Sequence, residues 1–137
     1  MVLDADYIGH GIYLGSSAYT QKELEEKNIN VIVNITPESE IARKTTLEFH
    51  RYPVSFILTD EQNAKNIRDA INHIYRMVKD YGKYIIYLHC FEGVNRSAVV
   101  AIGVIAKLLR CSVEDAISYV SKRRKIMPQE KYLRFLS

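Results

Sequence analysis

The sequence predicts a single α/β domain, residues 1–137, built on a central, mostly parallel mixed sheet flanked by helices. Three observations carry that expectation. A chain of 137 residues with 47% hydrophobic composition has the size of one domain and buries its own core without metal or disulfide staples. Short β-branched or aromatic runs alternate with segments of helical periodicity, the order in which parallel strands are joined by helical crossovers. No repeat, low-complexity tract or Pro/Gly-rich linker divides the chain.

Each element follows from its own residues. Ile12-Tyr13-Leu14 reads as a short strand, and Thr20 with Glu23 forms a capping box opening a polar helix to about Asn28. The run Ile29 to Ile35 is too short and too apolar for anything but a buried strand. Thr36-Pro37 supplies a cap and a first-turn proline for a helix over Glu38 to Lys44, and Leu47 to Leu58 reads as strand interrupted at Pro53. Ala64, Ile67, Ile71, Ile74 and Val78 recur at helical spacing and stop before Gly82, giving a long amphipathic helix. Lys83 to Leu88 is a strand. Asn95 to Arg110 is apolar around nearly the whole circumference, which describes a helix buried on most sides. Ser112 to Asp115 caps another helix with Arg123 and Arg124 in its last turn, the sign that suits the dipole there. A short helix follows Pro128.

Bulk properties narrow the function classes. The net charge of +3 is mild, and the run Lys122 to Lys125 reads as a solvated helix end, too little to build a nucleic-acid site on. Two cysteines, Cys90 and Cys111, are too few for a disulfide framework, and no Cys/His spacing matches a zinc site. The amino terminus lacks the basic-then-apolar order of a signal peptide. The longest apolar stretch, Ala98 to Ala106, is far short of the roughly 20 residues that span a bilayer. A soluble, cytoplasmic protein without a membrane partner is expected, with Cys111 inert.

The chemistry concentrates between the strand ending at Leu88 and the buried helix, in His89-Cys90-Phe91-Glu92-Gly93-Val94-Asn95-Arg96-Ser97. A strand, a turn containing glycine and a helix start direct backbone N–H groups inward, and the helix terminus adds unpaired donors and its positive dipole end. That is an anion site. A free thiol is only about 3% ionised at neutral pH, and a helix amino terminus with a nearby guanidinium lowers its pKa. Arg96 lies six positions after Cys90, and its planar fork matches two phosphate oxygens.

His89-Cys90, Gly93, Arg96 and Ser97 match the His-Cys-x-x-Gly-x-x-Arg-Ser/Thr signature of the cysteine-based phosphatases, and the chain resembles their dual-specificity branch over almost its whole length. Ile12 to Ser16, Val31 to Thr36 and the Arg-x-x-x-Pro segment Arg124 to Pro128 are similar to that branch's opening strand, second strand and closing segment. The resemblance implies a metal- and cofactor-independent phosphatase acting on phosphorylated proteins, with Cys90 as nucleophile and residues 91–96, Phe91, Glu92, Gly93, Val94, Asn95 and Arg96, as the phosphate-binding loop. It further implies Asp60 as general acid, Glu61 being the competitor, and Ser97 as a donor to the departing sulfur. His89 becomes a residue that positions the cysteine, and Asn34 a brace for the loop.

Asn95 and Ala98 depart from the commoner pattern, which has Ser before the Arg and often Gly or Pro after the Ser/Thr. Gly-Val-Asn-Arg resembles the loop of poxviral dual-specificity phosphatases, and Asn at that place is also frequent in metal-independent RNA 5′-triphosphatases. An RNA 5′ end therefore stands as the alternative substrate, opposed by the presence of Asp60. Glu92 in place of loop lysines argues against a phosphoinositide phosphatase, and the retention of Cys90 and Arg96 argues against a non-catalytic phosphate-binding module.

Overall fold

A computed structural model describes residues 2–37 and 45–137. Its elements are β1 (Ala5–Gly9), β2 (Ile12–Gly15), α1 (Gln21–Glu26), β3 (Val31–Asn34), β4 (Glu48–Arg51), α2 (Asp60–Val78), β5 (Ile86–His89), α3 (Arg96–Leu109), α4 (Val113–Ser121), α5 (Glu130–Leu133) and a closing 3-10 turn, Arg134–Leu136. The strands form one sheet in the order β1-β2-β5-β3-β4. Among the described strands only the β1–β2 pair is antiparallel; β2, β5, β3 and β4 run parallel, with α1 between β2 and β3 and α2 between β4 and β5.

The two faces of the sheet follow from strand alternation. Ile12, Leu14, Val31, Val33, Ile86 and Leu88 join the larger core with α2, α3 and α4, whereas Ile32 and Tyr87 turn to the other face with Leu24 of α1, Ile29 and Tyr19. Helix α3 is buried along Ser97–Ile102 and again at Val104 and Ile105, so its all-round apolar character fits a central position. The parallel register puts Gly15, His89, Asn34 and Arg51 in one row across the carboxyl ends of β2, β5, β3 and β4. Ligand sites of open α/β sheets lie at that edge.

Several sequence expectations shift. Strand β1 was not legible, because half-buried Ala5 and Asp6 and the exposed Tyr7 leave Ile8 as its one fully buried side chain; the hairpin to β2 turns on Gly9, His10 and Gly11, all at positive φ. Leu47 to Leu58 is strand only at Glu48–Arg51. Pro53 has no amide to offer the sheet, and from Ser55 the chain is drawn off by Asn63 of α2, whose side chain bonds both the amide (3.0 Å) and the carbonyl (2.8 Å) of Ser55. Helix α2 starts before its apolar repeat, because Thr59 and Gln62 make a reciprocal capping box. Strand β5 starts at Ile86, since Asn30 takes the carbonyl of Lys83 and the amide of Ile85. Helix α4 ends at Ser121, so Arg123 and Arg124 lie beyond its last turn. The expected helix over Glu38 to Lys44 lies outside the described residues. Among the described residues, no helix is long and apolar enough to cross a membrane.

Candidate active site

Residues 90–95 join β5 to α3 at the carboxyl edge of the sheet, and their carbonyl groups are all held from outside the loop. His89 Nδ1 donates to the Cys90 carbonyl (2.9 Å). The amide of Ser17 donates to Phe91 (2.9 Å), Arg124 Nη2 to Glu92 (2.9 Å), Arg124 Nε to Gly93 (2.9 Å), the amide of Met127 to Val94 (2.6 Å), and the amide of Val99 to Asn95 (2.9 Å). In a trans peptide the N–H points opposite to the C=O, so outward carbonyls turn the following amides toward the loop's interior. Gly93 makes the bend possible at φ +74°, and a Cβ there would overlap the Gly15 carbonyl and stand 2.9 Å from Arg124 Nη2.

Cys90 sits at the floor of this ring, 2% exposed, and the Ser97 hydroxyl donates to its sulfur at 3.1 Å. Burial pushes the thiol pKa up. The Ser97 hydroxyl, the amides of Ser97 and Gly93 and the Arg96 charge outweigh that, and the net pKa is lowered. Lowering the pKa of a thiol raises the share of its nucleophilic, ionised form. Arg96, at the first position of α3, is half-buried and donates through Nη1 to the Val54 carbonyl (2.9 Å). The segment it reaches is tied to α2 by Asn63 on Ser55 and by Asn66 on the Pro53 carbonyl (2.7 Å).

The remaining sequence-selected residues fall in different places. His89 is fully buried, with its ring edge-on to Tyr19 at 5.1 Å, beneath the loop rather than inside it. Asn34 is fully buried next to His89 in the sheet, but its side-chain oxygen accepts from the amide (2.9 Å) and hydroxyl (2.7 Å) of Thr36. Its direct link to the loop is through the backbone, where the adjacent Ile35 amide donates to the His89 carbonyl. Asn95 is the N-cap of α3 without capping it; its amide instead clasps Gln129, donating to Oε1 (2.9 Å) and accepting from the backbone N–H (2.8 Å). Asp60 and Glu61 lie exposed in the first turn of α2, and the intervening segment carries Phe56 and Ile57 at its surface, 82% and 75% exposed.

Arg124 is not a helix-end cation, since α4 ends at Ser121. It is 8% exposed and, besides two loop carbonyls, binds Asp6 (3.0 Å) and Asp4 (3.2 Å). The Arg-x-x-x-Pro segment marked its place in the sequence; its partners Asp4 and Asp6 carried no pattern. Among the described residues no group of three or more His, Cys, Asp or Glu side chains is arranged to hold a metal ion.

Comparison with known proteins fits this geometry. The family described as "Dual specificity phosphatase, catalytic domain" matches residues 12–137. "Protein phosphatase Slingshot" of Drosophila melanogaster is 29% identical over 128 residues, covering 89% of this chain and 12% of that protein. "Dual specificity protein phosphatase 26" of Bos taurus is 28% identical over 144 residues, covering 96% of this chain and 65% of that one. The first curated relatives matched are three or more times longer, the chain spanning from 12% to 33% of their length. The structure titled "Crystal Structure of Cydia Pomonella PTP-2 phosphatase" superimposes with a TM-score of 0.82 at 22% identity, over 99% of this chain and 89% of that one, a likeness of fold.

The lowered thiol has a checkable consequence. Its ionised form stabilises the folded state fully above the free-thiol pKa, and that contribution is lost as pH falls through the lowered value. Alkylation of Cys90 by iodoacetamide, followed against pH, should show a midpoint below that of a free thiol, and Ser97→Ala should move the midpoint upward. A midpoint at or above the free-thiol value in the unaltered protein would contradict this electrostatic reading.

Proposed function

We propose that this chain, which belongs to the dual-specificity phosphatase catalytic-domain family, hydrolyses phosphotyrosine and phosphoserine or phosphothreonine in proteins through a phosphocysteine on Cys90. The observation that carries the reading is the Cys90 thiol, sunk in a ring of inward amides with its pKa lowered against burial. In the first step the thiolate attacks phosphorus, an S–P bond forms and the ester P–O bond breaks, while loop amides and the Arg96 guanidinium hold the phosphoryl oxygens. Asp60 gives its carboxyl proton to the leaving oxygen. In the second step Asp60 takes a proton from water as it attacks phosphorus, and the Ser97 hydroxyl supports the thiolate as the S–P bond breaks.

Asp60 is the assigned acid because it stands at the start of α2, directly after the segment tied to Arg96 through Val54. One observation favours a second reading, an RNA 5′-triphosphatase. The segment Pro53–Leu58 contains no carboxyl group, and a diphosphate leaving group departs without protonation.

Cys90→Ser should reduce turnover to below about a hundredth of the original rate, because the attacking thiolate is gone, while inorganic phosphate still binds. Retained turnover would remove Cys90 from the nucleophile role. Asp60→Asn separates the substrate classes. Loss of a positioned acid costs about a hundred- to ten-thousand-fold, expected here on tyrosyl phosphate, with a far smaller loss on an activated aryl phosphate or triphosphate-ended RNA. If Asp60→Asn left phosphotyrosine hydrolysis within a few-fold of the original, Asp60 would become a helix-start charge, and Glu61 or the triphosphatase reading would move ahead.

A further inference from the structure

Among the described residues two hollows flank the loop, and their charges are opposite in character. On the β1–β2 side a groove of about 620 Å³ has Phe91 and Met127 at its rim and holds the carboxylates of Asp4, Asp6 and Glu92, against Arg124, which is buried and committed to its partners, and Lys125. On the α5 side a cavity of about 280 Å³ is lined by Ser55, Phe56, Asn95, Arg96, Gln129, Lys131 and Tyr132. Among the described residues its lining carries two cations and no carboxylate. Lys131 is exposed and makes no ion pair among the described residues, and its ammonium rests over the Tyr132 ring at 5.0 Å.

Its position is fixed from the loop itself. The Met127 amide bonds Val94 and Asn95 clasps Gln129 in both directions, so α5 begins at Glu130 with Lys131 already at the wall of the cavity that Arg96 enters. A hollow of this size is at the lower limit of small-ligand pockets and admits one side chain or one further anionic group beside a phosphate held in the loop. A carboxylate or phosphate there would share the cavity with the Arg96 guanidinium, Lys131 and the Phe56 ring.

We propose that this cavity is a subsite for a second anionic group of the substrate, and that Lys131 selects phosphopeptides carrying an acidic or phosphorylated residue next to the one being hydrolysed. The proposal rests on the protein-phosphatase reading above. The opposite groove argues for a peptide rather than a polynucleotide: a phosphate backbone continuing across the loop would meet Asp4, Asp6 and Glu92, and polyanion binding needs cations along its path. A peptide can place a neutral or basic residue there.

The test is a comparison of kcat/KM at low salt for phosphotyrosine peptides with neutral flanks, with acidic residues on the amino side, and with acidic residues on the carboxyl side. One acidic series should be favoured by about threefold to fivefold, the scale of a single exposed ion pair, and the ratio should shrink as salt rises. Lys131→Ala should bring the ratio near one, Lys131→Glu should invert it and Lys131→Arg should preserve it. Equal rates on all three series, or a ratio that Lys131→Ala and Lys131→Glu leave unchanged, overturn the subsite while leaving the phosphatase reading in place. No turnover of any phosphopeptide, with turnover of triphosphate-ended RNA that falls in Lys131→Ala, overturns both and assigns the cavity to a nucleotide phosphate.

Discussion

The outward anchoring of the loop carbonyls is the constraint on which the site depends. A six-residue turn with its amides converging on one point leaves its carbonyls diverging, and each unpaired buried carbonyl costs about 1–3 kcal/mol. Here those partners come from across the chain: Ser17 after β2, His89 from β5, Met127 and Arg124 from the segment after α4, and Val99 within α3. The sheet order matters because it sets β2 and β3 on either side of β5, bringing Gly15 against Gly93 and the Ile35 amide onto the His89 carbonyl. Tyr87 completes the corner by donating to the Ser16 carbonyl at 2.7 Å.

That arrangement concentrates hydrogen-bond donors and positive charge around a buried sulfur. The Ser97 hydroxyl, the amides of Ser97 and Gly93 and the Arg96 charge all favour negative charge at the same point, and together they decide the direction of the Cys90 pKa against burial. In the proposed reaction the same field that lowers the thiol pKa holds the phosphoryl group. Arg124 and Arg96 divide the work: one is buried outside the ring and fixes its shape, the other is half-buried and reaches the segment before α2.

Much of this was legible in the sequence because it is local. The loop, the capping box at Thr20, the apolar stripe of α2 and the all-round apolar α3 each announce themselves within a few turns of chain. What escaped depends on distant partners. Strand β1 exists because its backbone pairs with β2, with Asp4 and Asp6 serving Arg124 more than a hundred residues away. The strand over Leu47 to Leu58 was overextended because apolar Phe56, Ile57 and Leu58 look like core, whereas Asn63 and Asn66 pull their segment onto α2 and leave Phe56 and Ile57 at the surface. Asn95, read as a departure within the loop, finds its purpose in Gln129, a pairing that spacing alone does not suggest.

The proposed reaction passes through a covalent intermediate at one atom. The most direct measurement is an acid quench during steady turnover of a phosphotyrosine peptide, followed by proteolysis and mass spectrometry of the segment containing Cys90. A phosphoryl group on the Cys90 sulfur, absent when substrate is withheld, is the predicted result. Steady turnover with that segment unmodified, or with the phosphoryl group on another side chain, would contradict it.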